Sequence, residues 1–355
     1  MSKKDKATIH DIANKLGITA STVSRALNNH PRISARTKEL VHEAAKEINY
    51  KPNSFAVALR NGRSRLIGII IPTVNRNFFS SIVRGIEEYA NQHDYRVVIT
   101  QSYDNYEKEK QTVNALIDAQ VDGIMVSLGK NTTALTHFKK AIERGIPLVF
   151  FDRVAEELPV SQVVIDDFQA AFQMTEHLIQ QGYRRIAHFN SPMKINIFQE
   201  RLRGYRQALE NYGLKVDPEL ILYSNLQLED GRESVASLLN QGIPFDAIFS
   251  ASDYSIVGAL QELKKNGIKV PEAVGLAGFG NEPFTEFTDP PLSTVDQVSI
   301  PMGQSVAKMF FDLLESEEKS LPIQKVMLRP KVIFRKSTQK IASNPVAKIA
   351  PATPF

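Results

Sequence analysis

The stretch Thr19–Val41, TASTVSRALNNHPRISARTKELV, decides how the N-terminal part of this chain folds. Val23, Ala26 and Leu27 make a narrow apolar stripe at helical spacing, while Ala20, Ser21, Ser24 and Arg25 share the opposite face. A helix is therefore expected from Thr19 or Ala20. Upstream, Ile9, Ile12, Ala13 and Leu16 fall at i, i+3, i+4 and i+7 behind Thr8 and Asp11, which are spaced as an N-cap and its first-turn acid, and Gly17 stops the helix. Downstream, Ser34 caps a third helix through Leu40, Val41, Ala44, Ala45 and Ile48. Two short helices joined by a glycine-containing turn, closed by a third, form a helix-turn-helix candidate. A helix face that is small except for one arginine can lie deep in a DNA major groove, with the guanidinium on guanine O6 and N7. The same face could equally be solvated, so the pattern alone does not choose.

The charge distribution favours the first reading. Residues 1–65 hold thirteen Lys or Arg against five Asp or Glu, so this head carries a net +8, whereas the whole 355-residue chain carries only +4 and the remainder a net −4. A compact basic head on a mildly acidic body suits a nucleic-acid-binding module joined to something else. There is no cysteine, which removes disulfides, zinc-thiolate sites and cysteine nucleophiles together. The polar start MSKKDKATIHDIANKL is no secretory segment, and no run approaches the roughly 20 apolar residues of a membrane span, so a cytoplasmic protein is expected.

The run from Thr8 to Pro72 resembles, without interruption, the head of the LacI/GalR family of bacterial transcription regulators, including TVSRALN, NYKPN and AVALR. The resemblance implies that Ala20, Ser21 and Arg25 read bases. It places Thr8, Ser24, Asn28, Ser34, Thr37, Tyr50 and Asn53 at phosphates, which supply register and salt-dependent affinity rather than sequence discrimination. In KPNSFAVALRNGRS, Phe55, Ala56 and Leu59 share one face, but so short a segment is not stably helical alone in water. The resemblance makes it a hinge helix that enters the minor groove with its dimer mate, through Ala56, Leu59 and Arg60, with Leu59 as the wedge.

After Arg65 the chain alternates β-rich runs with amphipathic segments. RLIGIIIP, YRVVITQS, VDGIMVSL, IPLVFFDR, RRIAHFNS, FDAIFSAS and VGLAGFGN read as buried parallel strands, so the fold class is α/β. The resemblance implies a two-lobed, periplasmic-binding-protein-like body with an effector cleft. The expected domains are a helix-turn-helix head at 1–51, a hinge at 52–65, a body at 66–340 and a disordered tail at 341–355. Within the body, 66–163 and 291–323 make the first lobe, and 164–290 and 324–340 the second.

Ligands of such sheets sit beyond the carboxyl ends of the strands. Polar and aromatic residues there are Phe78 and Phe79, Asp152 and Arg153, Asn196 and Arg201, Asp253, and Asn281. Aromatic rings with forked carboxylates and guanidinium groups suit a polyhydroxyl ligand, so a carbohydrate-type effector is expected. Each residue has a plainer use: the phenylalanines in the core, Asp152 with Arg153 as an ion pair, Asp253 as a helix cap. Gly280 is followed by Asn281 where many sugar-responsive family members have an acid, and Gln199 stands where many have another arginine, which leaves the effector's identity open.

No metal spacing, Walker loop or GxSxG elbow appears, and Asp166 with Asp167, taken as strand neighbours, point apart. No metal, no cofactor and no catalysis are expected. The reading is a homodimeric, ligand-responsive regulator, most simply a repressor, on a palindromic DNA operator. A solute-capture protein without DNA function fits the body alone but leaves the basic head without a use.

Overall fold

The computed structural model describes residues 7–50, 63–316 and 322–340. The expected hinge residues Asn53, Ala56, Leu59 and Arg60, and the tail at 341–355, lie outside them. The chain divides into two compact units between Ser64 and Arg65.

The first unit holds α1 (Ile9–Leu16), α2 (Ala20–Leu27) and α3 (Ala35–Glu47). Each helix start is fixed by its own sequence. Thr8 N–H donates to Asp11 Oδ2 at 2.7 Å, and the Thr19 and Ser34 hydroxyls accept from Thr22 N–H and Thr37 N–H. Gly17, in the left-handed region at φ 61°, ends α1. Ile12, Ala13, Val23, Ala26, Val41, Ala44 and Ala45 are buried together as one small core. Leu40, expected with them, is 46% exposed: the inward stripe of α3 centres on Val41, Ala44 and Ala45, one position away.

The second unit contains two parallel sheets. The first is built from β1 (Leu66–Ile71), β2 (Arg96–Gln101), β3 (Gly123–Val126), β4 (Leu148–Phe151) and β5 (Ser161–Ile165); the second from β6 (Ile186–Asn190), β7 (Ile221–Tyr223), β8 (Ala247–Ser250) and β9 (Gly275–Ala277). The second sheet runs β7-β6-β8-β9. A two-stranded antiparallel ribbon pairs β10 (Thr294–Asp296) with β12 (Lys331–Ile333), and β11 (Lys325–Leu328) completes the first sheet in the order β11-β5-β4-β3-β1-β2. The chain thus passes between the sheets three times: after β5, at the β10 ribbon strand and between β11 and β12.

Two sequence expectations need correction here. Lys325–Leu328, placed with the second lobe, pairs in parallel with Gln162–Ile165 of the first, because the last crossover comes after these residues and not before them. Arg96–Gln101 is a strand, but not a buried one: it pairs only with β1, and Val98 and Ile99 are 38% and 46% exposed.

Helices cover the sheets. Among them are α4 (Asn77–Gln92), α5 (Tyr106–Asp118), α6 (Thr136–Glu143), α7 (Asp167–Gln180), α8 (Asn196–Asn211), α9 (Leu228–Asn240), α10 (Asp253–Lys265) and α11 (Ser299–Glu315). No helix among the described residues is long and apolar enough to cross a membrane. Helices α4 and α11 meet backbone to backbone: a Cβ at Gly303 would lie 2.2 Å from the Ile82 carbonyl oxygen. This contact seats α4, whose first turn opens beside the ends of β1 and β3.

The second sheet buries a histidine. His188 has no exposed surface, stacks on the Tyr205 ring at 4.7 Å, and its Nδ1 lies 2.9 Å from the Phe249 carbonyl oxygen. Burial pushes the imidazole down to about 3, so it is neutral in the fold and Nδ1–H is the donor. The unfolded imidazole takes up a proton near its ordinary value of about 6.5. Its stabilising effect is therefore complete above about pH 6.5 and drains as pH falls, by about 1.4 kcal/mol per unit. His188→Gln, which keeps a donor for Phe249, is expected to lose about 2 kcal/mol less than the parent between about pH 7 and about pH 5. Urea unfolding at the two pH values checks this, and equal losses in both proteins would remove His188 as the source.

Candidate functional site

Two surfaces emerge, one on each unit. On the first, α2 turns Val23 and Ala26 inward and leaves Ser21 and Arg25 exposed. Among the described residues the Arg25 guanidinium has no partner. Ala20 is half-buried and packs partly on the three-helix core. Several hydroxyls expected at phosphates already serve the helix starts: Thr8 Oγ1 donates to Asp11 Oδ2, and Ser34 Oγ lies 2.8 Å from Thr37 Oγ1. Asn28 donates to the Ser24 carbonyl oxygen, and Tyr50 packs half-buried against the core, which raises its hydroxyl's pKa. These side chains are thereby held in place at the start of α1, the end of α2, the start of α3 and just beyond its end.

On the second unit, the ends of both sheets enclose a cavity of about 120 Å³. Of the expected effector residues, Phe78, Phe79, Asp152, Arg153, Arg201 and Asp253 line it. Phe78 and Phe79 sit edge to face at the start of α4, ring centroids 5.1 Å apart. Asp152 closes β4 in the left-handed region at φ 59°, an uncommon conformation for a side-chain-bearing residue. Its Oδ2 accepts from Ser127 Oγ at 3.2 Å, and burial raises its pKa against the pull of Arg153 and Arg201.

Arg201 is 4% exposed, and each of its three guanidinium nitrogens has a partner. Its Nε donates to Asp167 Oδ1 at 2.8 Å, Nη1 to the Ala251 carbonyl oxygen at 2.9 Å and Nη2 to Gln297 Oε1 at 3.1 Å, while its face lies 3.6 Å from the centroid of Phe279. Asp167 is not a strand neighbour of Asp166: Asp166 caps α7 by accepting from Gln169 N–H, and Asp167 opens that helix, turned inward. Burial outweighs the guanidinium and pushes the Asp167 carboxyl up to about 7. Asp253 is also committed. Its Oδ1 accepts from Thr294 Oγ1 at 2.7 Å and its Oδ2 from Glu282 N–H at 2.8 Å, and burial takes it to about 7.

Asn196 and Asn281 do not join the lining. Asn196 bridges the lobes, donating to the Asp152 carbonyl oxygen at 2.9 Å and accepting from Val154 N–H at 3.2 Å. Asn281 turns toward the crossovers, where its Oδ1 accepts from Arg335 Nη2 at 3.1 Å.

Sequence reasoning missed Arg76, Lys130, Gln227, Tyr254, Glu282 and Gln297, which also line the cavity. Arg76 and Lys130 follow the ends of β1 and β3, and the strand-end rule that found Asp152 would have found them. Gln227 and Gln297 carried no comparable signal, since they come from a loop and a crossover. Arg76 lies over the Tyr254 ring at 3.3 Å and donates from Nη2 to Gln227 Oε1 at 2.6 Å; Lys130 Nζ donates to the Asn225 carbonyl oxygen at 3.3 Å. Both contacts cross between the lobes.

Sequence and structure both relate the chain to known proteins. Residues 8–53 match the family model described as bacterial regulatory proteins, lacI family, and residues 64–330 match periplasmic binding proteins and sugar binding domain of LacI family. The chain is 35% identical over 314 residues to the HTH-type transcriptional repressor CytR of Escherichia coli strain K12, covering 88% of this chain and 91% of that one. Among solved structures, a complex of the transcriptional regulator CelR with cellobiose is 28% identical with a TM-score of 0.70, covering 94% and 100% of the two chains. The lac repressor dimer bound to operator and an anti-inducer shares the fold at 24% identity, with a TM-score of 0.82 and coverage of 94% and 99%.

Removing Arg201 leaves Asp167 buried without its cation. Arg201→Met should cost about 3–5 kcal/mol in urea unfolding, and adding Asp167→Leu should return a large part of it. A single variant as stable as the parent would remove Arg201 as a structural anchor.

Proposed function

The chain belongs to the lacI family of bacterial regulatory proteins, and from that premise we propose that it is a repressor that binds a palindromic operator as a homodimer and answers to a small molecule held between its lobes. The family is one of transcription regulators and not of enzymes. The observation that carries the DNA half of the proposal is Arg25, exposed and without a partner among the described residues, on the face of α2 opposite its buried stripe. Arg25 reads guanine, Ser21 and Ala20 allow the helix to approach the bases, and Thr8, Ser24, Asn28, Ser34, Thr37 and Tyr50 set the register on phosphates. Two such heads related by a twofold axis require two half-sites.

The effector half rests on the cleft. Its lining combines rings with groups that donate and accept, as a polyhydroxyl compound of the sugar type requires. The bridges Arg76 to Gln227 and Lys130 to Asn225 are the contacts that a molecule between the lobes replaces. An effector that binds one degree of lobe closure better than another shifts the balance between them. Because such coupling is reciprocal, operator DNA changes effector affinity by the same factor.

The test is selection of sites from a random DNA pool, followed by fluorescence-anisotropy titration with a panel of sugars. A palindromic site is expected, with affinity that at least one compound shifts. Arg25→Ala should lose about 1–3 kcal/mol of preference for that site while keeping its affinity for random DNA. An equal loss on both DNAs would sink the base-reading role, and the absence of any selected site would sink the regulator itself.

A further inference from the structure

The cleft wall contributed by the first sheet is unusually rich in positive charge. Arg76, Lys130 and Arg153 come from the ends of β1, β3 and β4, and all three line the cavity. Their donors are not used up. Arg76 Nη1 is buried with no hydrogen-bond partner among the described residues. Arg153 is 8% exposed; its Nη1 donates to Asp104 Oδ1 at 2.7 Å and to the Leu128 carbonyl oxygen at 3.4 Å, and its Nε, in a long ion pair with Asp152 Oδ2 at 3.9 Å, makes no hydrogen bond among the described residues. Lys130 Nζ has one carbonyl and the face of Phe198, 5.6 Å away, and no ion pair among the described residues.

The nearby acids do not make up the difference. Asp104 Oδ1 is shared between Arg153 and the Lys130 N–H. Asp253 spends both oxygens on Thr294 and Glu282 N–H, and Asp167 belongs to Arg201. Glu282 faces Arg76 across the lobes, yet burial raises its pKa as it does that of Asp152, which weakens both as counter-ions. Bridging between lobes explains one donor each on Arg76 and Lys130; it does not explain three cations gathered on one wall with donors left over.

We propose that the effector is an anion, a sugar carrying a phosphate or carboxylate group, with that group seated against Arg76, Lys130 and Arg153. The assignment rests on the cleft being the effector site. Partly or fully desolvated guanidinium and ammonium donors make their strongest hydrogen bonds to such oxygens, and a phosphate offers enough of them for all three residues. The anion also relieves crowding. Lys130 is held down to about 8 by burial and by Arg153 and Arg76, against the opposing pull of Asp104 and Asp230. A bound anion raises that value, so binding near pH 8 takes up protons and weakens as pH rises further.

Isothermal titration calorimetry of the full-length protein tests this. The probes are inorganic phosphate alone, glucose 6-phosphate and gluconate against glucose, and fructose 1-phosphate against fructose, in two buffers of different ionisation enthalpy. The expected result is saturable binding of phosphate and of a charged compound, stronger than that of its neutral parent by about tenfold or more. Proton uptake should accompany it near pH 8. Arg76→Met and Lys130→Met should each lose about tenfold on the anion, with Lys130→Arg retaining most of the affinity. Anion binding unchanged in both Met variants puts the anion elsewhere and overturns the assignment, as does failure of every charged probe to bind. If a neutral sugar binds while the charged probes do not, the cleft keeps its role and only the charge assignment falls.

Discussion

A guanidinium that has left water must be satisfied wherever the chain can reach it, and the body of this protein is arranged around one that is. Arg201 joins the start of α7 through Asp167, the end of β8 through Ala251, and the second crossover through Gln297, while Phe279, just beyond β9, covers its face. Four segments distant in sequence are thereby fixed to one point beneath the cleft. Burial makes this arrangement intolerant of loss, because each partner left behind would be a polar group without water or an ion. The cleft floor is rigid for that reason, and the parts that can exchange partners lie at its walls.

Those walls are chemically unequal. Both lobes contribute rings and at least one cation, but three of the cations, Arg76, Lys130 and Arg153, come from the first, whereas the second adds Arg201 with Gln227, Tyr254, Asp253 and Glu282. Hydrogen bonds between the lobes, among the described residues, include Arg76 to Gln227, Lys130 to Asn225 and Asn196 to the backbone around Asp152. The last does not line the cavity, so it holds the lobes together independently of what occupies the cleft. The first two do line it, and a ligand competes with them directly.

The head uses another economy. Its hydroxyls and short polar side chains cap helices that are each only a few turns long, and an isolated helix of such length is marginal in water. Thr8, Thr19 and Ser34 therefore hold the scaffold together and at the same time stand in fixed directions on its surface. Arg25 is spared that duty: among the described residues its guanidinium has no partner.

The sequence by itself determined the elements whose physics is local. Capping residues, stop glycines and stripes at i, i+3 and i+4 act within one helix, and they placed the three helices of the head correctly; apolar runs did the same for most strands. The family, with its regulatory role, was legible in an unbroken motif for the same reason. Only the tertiary structure decided which strand-end residues meet. Asn281 follows a strand as Asp253 does, yet it turns to Arg335, and Lys325–Leu328 belongs to the sheet that the preceding residues suggested it had left. Arg76, Lys130 and Arg153 are separated by tens of residues, and nothing local records that parallel pairing of β1, β3 and β4 brings their ends to one wall. Register and crossovers set that convergence, and they are fixed by burial summed over the whole sheet.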